Sequence, residues 1–290
     1  MPAGSTMEKG MAISEKDAFV LSALDEARAK HKELATLLDF YRDLYEVQFK
    51  AKPDLPQPQT RDDVGRQWRL EGGIPQLTFD RLGLEPDSFF VLVQRIADVL
   101  ARHNPGWQID WTEWTPEKLA GLAREVLEFW ETLTTPGSHS EGDVEIRASQ
   151  AHPATLAVGL SLAPYLQRGA EAILPQLDLS LWQREYCPVC GGRPNLAMLE
   201  EQRGARLLVC SRCGSTWPYA RVGCPFCRSQ AKQNYYRSDD GVYRLYVCPD
   251  CNRYLKTVDV RELHRPVYPA VERLLTVGMD LAARQQGFMD

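Results

Sequence analysis

Cys187-Pro-Val-Cys190, Cys210-Ser-Arg-Cys213, Cys224-Pro-Phe-Cys227 and Cys248-Pro-Asp-Cys251 decide the fold, and they hold all eight cysteines of the 290-residue chain. Two thiolates separated by two residues reach one ion from a tight turn, and a second such turn completes a tetrahedral tetrathiolate site. One pair alone reads equally well as a redox dithiol, whereas four pairs in one window read as metal ligands. The window also repeats: Cys187 and Cys190 map onto Cys224 and Cys227, and Leu207-Leu-Val-Cys210 maps onto Leu245-Tyr-Val-Cys248, at spacings of 37 and 38 residues. Each unit is a pair, a hairpin, a strand and a second pair, which is the plan of a zinc-ribbon or rubredoxin-like knuckle module.

Consecutive pairing, which the repeat favours over a cross-braced arrangement, assigns Cys187, Cys190, Cys210 and Cys213 to site one, and Cys224, Cys227, Cys248 and Cys251 to site two. Glycine follows the second cysteine of the first two pairs, at Gly191 and Gly214, where a positive φ turns backbone N–H groups toward the sulfurs. Site two has Arg228 and Asn252 at those places, so it is expected to be the more strained and less protected of the two. Zinc and a single iron both accept tetrahedral sulfur ligation, and the spacing does not choose between them.

With four protein ligands at each site, no position is left open for substrate or activated water, and such closed sites are structural. No His-x-Glu accompanies a Cys-x-x-Cys as in a zinc deaminase, and neither a phosphate-binding Gly-x-x-x-x-Gly-Lys-Ser/Thr nor a Gly-x-Ser-x-Gly elbow occurs. The reading is a protein that is not an enzyme.

Outward from the window the chain is helical. Ser14 and Asp17 give a helix start, and Val20, Leu24, Ala27, His31, Leu34, Leu38, Tyr41 and Tyr45 continue one apolar stripe to about Ala51, with His31 expected in the core. Residues 61 to 85 carry weak periodicity and are assigned no structure. Phe89 to Leu100 predicts a second helix, Trp107, Trp111 and Trp114 a loop packed over the core, and Thr115-Pro116-Glu117 a helix start whose buried face runs to Trp130. His139 falls in a solvated loop. The apolar run from Ala151 to Ile173 predicts a central helix that Pro164 kinks or divides. After Asp259, Val271, Leu274, Leu275, Met279 and Ala282 predict one terminal helix.

The fold class expected is therefore α+β. A disordered tail over 1–13 and a helical bundle over 14–180 precede two rubredoxin-like modules over 181–222 and 223–262, and a C-terminal helix over 263–290 packs back on the rest. The first residues show neither a secretory nor a twin-arginine signal, and the longest apolar stretch is too short to span a bilayer, so a cytoplasmic protein is expected. In a reducing cytosol the cysteines are expected to hold metal rather than form disulfides. The net charge of −5 divides into +5 over residues 184–259 and −10 elsewhere. Eight thiolates around two divalent ions supply −4, so the arginines of the window offset the metal centres and need not mark a nucleic-acid face.

The window resembles the formate dehydrogenase accessory proteins called FdhE. The resemblance lies in Trp182 before Cys187-Pro-Val-Cys-Gly-Gly-Arg-Pro194, in Gly204-Ala-Arg-Leu-Leu-Val-Cys-Ser-Arg-Cys213, and in Trp217 with Arg221-Val-Gly-Cys-Pro-Phe-Cys227. Leu245-Tyr-Val-Cys-Pro-Asp-Cys251 and Met279-Asp-Leu-Ala-Ala-Arg-Gln-Gln-Gly287 extend it, so that it covers about residues 150–288. It implies a cytoplasmic maturation factor with iron or zinc in its modules, which binds the catalytic subunit of respiratory formate dehydrogenase during assembly before export. A cleft between helices and knuckles, with Trp182, Trp217 and Arg221, is the candidate surface for a client tail, although packing of the module accounts for both tryptophans.

Two other readings start from the residues. A nucleic-acid-binding zinc ribbon would use Arg203, Arg206, Arg212, Arg221, Arg228 and Lys232 interleaved with Trp217, Phe226, Tyr235 and Tyr236. A rubredoxin-like redox protein would use iron. Oligomeric state is open to self-association, and no membrane contact is expected.

Overall fold

The structure is a computed structural model that describes residues 13–133, 152–231 and 233–289, with side chains 129–133 excepted. The expected tail through residue 12, the side chain of Trp130, the loop with His139 and the side chain of Lys232 lie outside the described residues.

Helix α1 (Glu15–Lys30) starts where the Ser14 hydroxyl accepts the Asp17 N–H, as the Ser-x-x-Asp spacing predicts. The stripe that follows is not one helix. It breaks at His31, whose φ/ψ of −110/77 ends α1, and resumes after a 3-10 turn as α2 (Ala35–Ala51). His31 is half-exposed beside Glu33 rather than packed in the core. A heptad-like stripe is the same whether a helix runs on or folds back. Folding back lets Val20, Leu24 and Ala27 of α1 and Leu38 and Phe49 of α2 share a core with Val271 and Leu274 from the far end of the chain.

The stretch left without assignment contains α3 (Asp63–Glu71), capped by Asp62, which accepts the Gly65 N–H at 2.8 Å. Then come α4 (Pro86–His103) and α5 (Pro116–Leu133), the latter started by Thr115 accepting from Lys118 N–H. The tryptophan loop between them packs part-buried against the core. Helix α6 (Pro153–Ile173) is buried along most of its length, and it is neither ended nor divided at Pro164. Proline lacks the N–H that would bond the carbonyl four residues back, which is Leu160. Gln48 of α2 supplies the missing donor: its Nε2–H bonds Leu160 O at 2.8 Å. Lys52, also buried, ties α1 to α6 through Asp17 at 2.6 Å and Glu171 at 2.7 Å.

Six strands follow: β1 (Pro194–Leu199), β2 (Arg206–Cys210), β3 (Thr216–Tyr219), β4 (Asn234–Arg237), β5 (Tyr243–Val247) and β6 (Tyr254–Asp259). Each module is an antiparallel three-stranded meander. The two join into one sheet of order β3-β2-β1-β6-β5-β4 through a parallel pairing of β1 with β6, in register Ala197 with Thr257. Successive modules are thus related by a shift along the sheet. The core does not stop at residue 180, because one cluster runs from Leu44, Phe89 and Leu162 to Trp182, Val189, Leu208, Trp217 and Leu255.

The expected single terminal helix is two, α7 (Pro269–Leu275) and α8 (Val277–Gln285), parted at Thr276, whose hydroxyl bonds back to Glu272 O at 2.7 Å. The break lets α7 return to α1 while Ala283 of α8 covers Leu245, Val247 and Tyr254 of the second module.

Candidate metal centres

Each Cys-x-x-Cys folds by the same two backbone bonds. The N–H of the first cysteine donates five residues ahead, Cys187 to Gly192 O, Cys210 to Ser215 O, Cys224 to Ser229 O and Cys248 to Arg253 O, at 2.8 to 2.9 Å. The residue after the second cysteine donates back to the first cysteine's carbonyl, from Gly191, Gly214, Arg228 and Asn252 in turn. That closure places all four residues in the left-handed region, at φ +75, +71, +62 and +55. Arg228 and Asn252 are the non-glycine residues with positive φ among the described residues, at the two places where the repeat lacks its glycine. The N–H groups that reach sulfur come two residues after the first cysteine: Val189, Arg212 and Phe226 each point at that cysteine's Sγ at 3.4 Å.

The turns bring the thiols together in the two consecutive sets, not in a cross-braced arrangement. In site one Cys187 stands 3.6 Å from Cys213, and Cys190 stands 3.5 Å from both Cys210 and Cys213. In site two Cys224–Cys251 and Cys227–Cys248 are each 3.6 Å. Four sulfurs about 2.3 Å from a central ion lie about 3.8 Å from one another. The sets therefore fit a tetrahedral soft ion and are too wide for a disulfide, and all eight cysteines are free.

Electrostatics inside site one point the same way. Burial pushes the Cys187 thiol well up, with the neighbouring sulfurs adding to the rise. At Cys210 burial also acts upward but is outweighed by hydrogen bonds from Cys187, Cys190 and Cys213, which hold it well below its ordinary value. One thiolate is thus favoured at the expense of its neighbours, and a divalent cation is the charge that would let all four ionise. The second site is more open: Cys227 is exposed and Cys251 half-buried, and burial pushes the Cys251 thiol up to about 11.

The substituents of the two strained knuckle residues are engaged. Arg228 pairs with Glu185 of the segment entering site one, its Nε–H donating at 3.0 Å. Asn252 Nδ2 donates to Gly287 O at 2.7 Å, and Met289 donates its N–H to Asn252 O and accepts that of Tyr254, so the chain's last described residues are fastened to site two. Site one has its own distant brace: Arg273 of α7 donates to the Cys210 carbonyl at 2.5 Å. Sequence spacing carries no signal for Arg273 or Glu185, because each meets its partner only through the fold.

The three residues assigned to client contact are not grouped on one surface. Trp182 and Trp217 are buried, and their indole N–H groups donate to Tyr186 O at 2.8 Å and Arg184 O at 3.0 Å, which is the packing role. Arg221 is exposed, with one guanidinium nitrogen bonded to Gly204 O. The residues of the nucleic-acid reading differ in their surroundings. Arg206 is buried against the Ala220 and Gly223 carbonyls, Arg228 is held by Glu185, and Tyr235 and Tyr236 stand exposed on β4.

Residues 186–221, which enclose site one, match the family described as "FdhE, central domain". The chain is 34% identical over 134 residues to a Protein FdhE homolog of Aquifex aeolicus, covering 44% of this chain and 46% of that protein. It is 27% identical over 176 residues to the homolog of Haemophilus ducreyi, covering 58% and 57% of the two chains, and 33% identical over 110 residues to Protein FdhE of Escherichia coli, covering 37% and 35%. The matched stretches thus span between about a third and just over half of these relatives' lengths. The crystal structure of the FdhE protein from Pseudomonas aeruginosa superposes with a TM-score of 0.58, covering 96% of this chain and 95% of that one at 21% identity, which is a likeness of fold. The chain is thus similar to FdhE proteins in the sequence of its cysteine window, and nearly its whole length has the fold of the Pseudomonas aeruginosa FdhE protein.

Proposed function

We propose that this chain is an accessory protein of formate dehydrogenase maturation, one that binds the enzyme's catalytic subunit in the cytoplasm before export. The observation that carries the non-catalytic part of this reading is the closure of both four-cysteine sets. Cys187, Cys190, Cys210 and Cys213 would hold one ion and Cys224, Cys227, Cys248 and Cys251 the other. Zinc or iron bound there would fix the strand ends without offering a coordination position to substrate. The two modules over 181–222 and 223–262 then serve as a rigid plate beside the helical part over 14–180. Among the described residues no helix is long and apolar enough to cross a membrane, which agrees with a client met in the aqueous phase.

The experiment is co-purification of the tagged chain with the formate dehydrogenase catalytic subunit, with formate dehydrogenase activity measured in a strain that lacks the chain. Capture of the subunit and loss of activity are expected, and normal activity in that strain overturns the reading. A second reading, one-electron transfer through iron, is favoured by one observation, the exposed Cys227 at site two. Metal analysis with a visible spectrum decides it, because a colourless protein with zinc alone has no such chemistry.

A further inference from the structure

The start of α3 gathers three arginines that have no counter-ion among the described residues. We propose that this corner docks an acidic stretch of the client's polypeptide, its carboxylates on Arg61, Arg69 and Arg81 and its apolar side chains on Trp68 and Val64. The inference rests on the client-binding reading and gives it a place and a charge.

The backbone draws the three arginines together. Gln59 N–H donates to Arg81 O at 2.9 Å and Arg81 Nη1 donates to Gln59 O at 2.9 Å, which lays the segment before α3 beside the turn 79–81. Asp62 caps α3, and the Arg61 stem folds over Gly65, where an added Cβ would meet Arg61 Cβ at 3.5 Å and Cδ at 3.7 Å. Trp68 and Arg69 follow Gly65 by three and four residues, so they lie on the helix face that Arg61 covers. Arg69 spends its Nε and one Nη on Pro75 O, and the Arg61 side chain makes no hydrogen bond among the described residues. Of the guanidinium nitrogens left unbonded in the three, Nε of Arg61 is buried and the others keep contact with solvent, where a ligand reaches them.

The acidic neighbours are engaged elsewhere: Asp62 by the Gly65 N–H, Asp63 by Arg66, Glu71 by Gln67 and Asp80 by Arg124. Burial first, and then the charge of Arg81, pushes the Arg61 guanidinium below its ordinary value; burial followed by the charges of Arg61 and Arg81 does the same at Arg69. Like charges held together are relieved by carboxylates, which the planar guanidinium fork binds two bonds at a time. Trp68 is 63% exposed and Val64 78%, and an indole beside arginines is the composition of a binding hot spot. Outside residues 184–259 the chain carries −10. A long polyanion such as a nucleic acid would meet that charge around the arginines, whereas a polypeptide sets a few carboxylates on the arginines alone.

The test uses the metal-loaded full chain carrying photo-reactive benzoylphenylalanine in place of Val64 and, as a control, in place of the exposed Leu281, mixed with purified formate dehydrogenase catalytic subunit. Arg61→Gln removes a charge that has no hydrogen bond to lose, and Trp68→Ala removes the exposed indole. Unchanged metal content and unfolding midpoint confirm that each variant is folded. A cross-link to the subunit from 64 and not from 281, with binding weakened about tenfold in each variant and weakened in the parent by added salt, is the expected result. Undiminished capture of the subunit by both variants, without a cross-link from 64, overturns the surface and leaves the proposed function standing. If the parent chain does not capture the subunit, the proposed function fails, and a short synthetic peptide of glutamate and phenylalanine decides the surface alone. Peptide binding lost in Arg61→Gln supports it, and no peptide binding overturns it. A cross-link from 64 to a second copy of this chain, or binding of a single-stranded oligonucleotide that is tighter than that of the peptide and lost in Arg61→Gln, overturns the assignment of the occupant.

Discussion

Arg228 and Asn252 stand where geometry asks for glycine, and the left-handed region costs a residue with a Cβ roughly 1–2 kcal/mol, less for asparagine. The two side chains offset that strain differently. The Arg228 pair with Glu185 is solvent-exposed on the arginine side and contributes little, so Arg228→Gly is expected to raise the unfolding temperature of the metal-bound protein by about 2 °C in calorimetry. Asn252→Gly is expected to lower stability by about 1 kcal/mol, because the bond to Gly287 is lost, and to speed amide exchange at residues 287–289. Asp259 supplies a pH dependence. Its buried carboxylate is held below the usual range by the hydrogen bond from Arg261 and by the charge of Arg244, against the upward push of burial. A depressed carboxylate lends stability above its unfolded value near 4, and that stability is lost as pH falls through the lower folded value. Acid titration of Asp259→Asn should therefore show a shallower loss of stability below about pH 4 than the parent. The cysteines and the two φ-positive residues were legible because knuckle spacing fixes both. The burial of the tryptophans was legible only as one of two roles, since an indole looks the same in a sequence whether it packs or binds.

At the scale of the element, α6 survives an internal proline because a side chain from another helix replaces the missing donor. Gln48→Leu strands the Leu160 carbonyl in a buried place and should cost about 1–3 kcal/mol in denaturant unfolding. Pro164→Ala restores the N–H, so in the double variant most of that loss should return, and a coupling near zero in the double-mutant cycle would refute this account. The sequence placed α4 to α6 well because caps and apolar stripes coincide there. It joined α1 to α2 and α7 to α8 because a stripe of constant period does not record where the axis turns. Strands β2 and β5 were readable as apolar runs, whereas β6 hid behind Lys256 and Asp259, charges that a fully buried strand tolerates only because Asp280, Arg244 and Arg261 reach them. The short α3 escaped because its Val64 and Trp68 face outward and leave no inward stripe to follow.

For the molecule as a whole, the two centres sit at unequal depth in one sheet. A strong chelator should withdraw metal in two phases, the faster from site two with its exposed Cys227, and a thiolate-specific reagent should modify Cys227 before any other cysteine. Loss of both ions should abolish the strand contribution to circular dichroism and reduce the helical signal by less, because the modules owe their fold to ligation whereas the helices share their core with the modules and also pack on one another. The tandem duplication and the consecutive pairing of cysteines were legible in the 37- and 38-residue spacings. The continuous core across residue 180 was not, since composition changes there while packing does not.

The shift that relates the modules has a further consequence. Two copies arranged about a two-fold axis would face each other and finish, but copies laid in the same sense form a ladder that ends only where rungs run out. Here the last rung is β4, four exposed residues long, and its counterpart in the first module, β1, is the strand that received β6. Growth of the sheet is therefore directional, and a third module spliced after the second would be expected to dock its last strand, parallel, on β4. The shortness of that rung and the charge of Arg237 are features by which a sheet edge resists uninvited pairing.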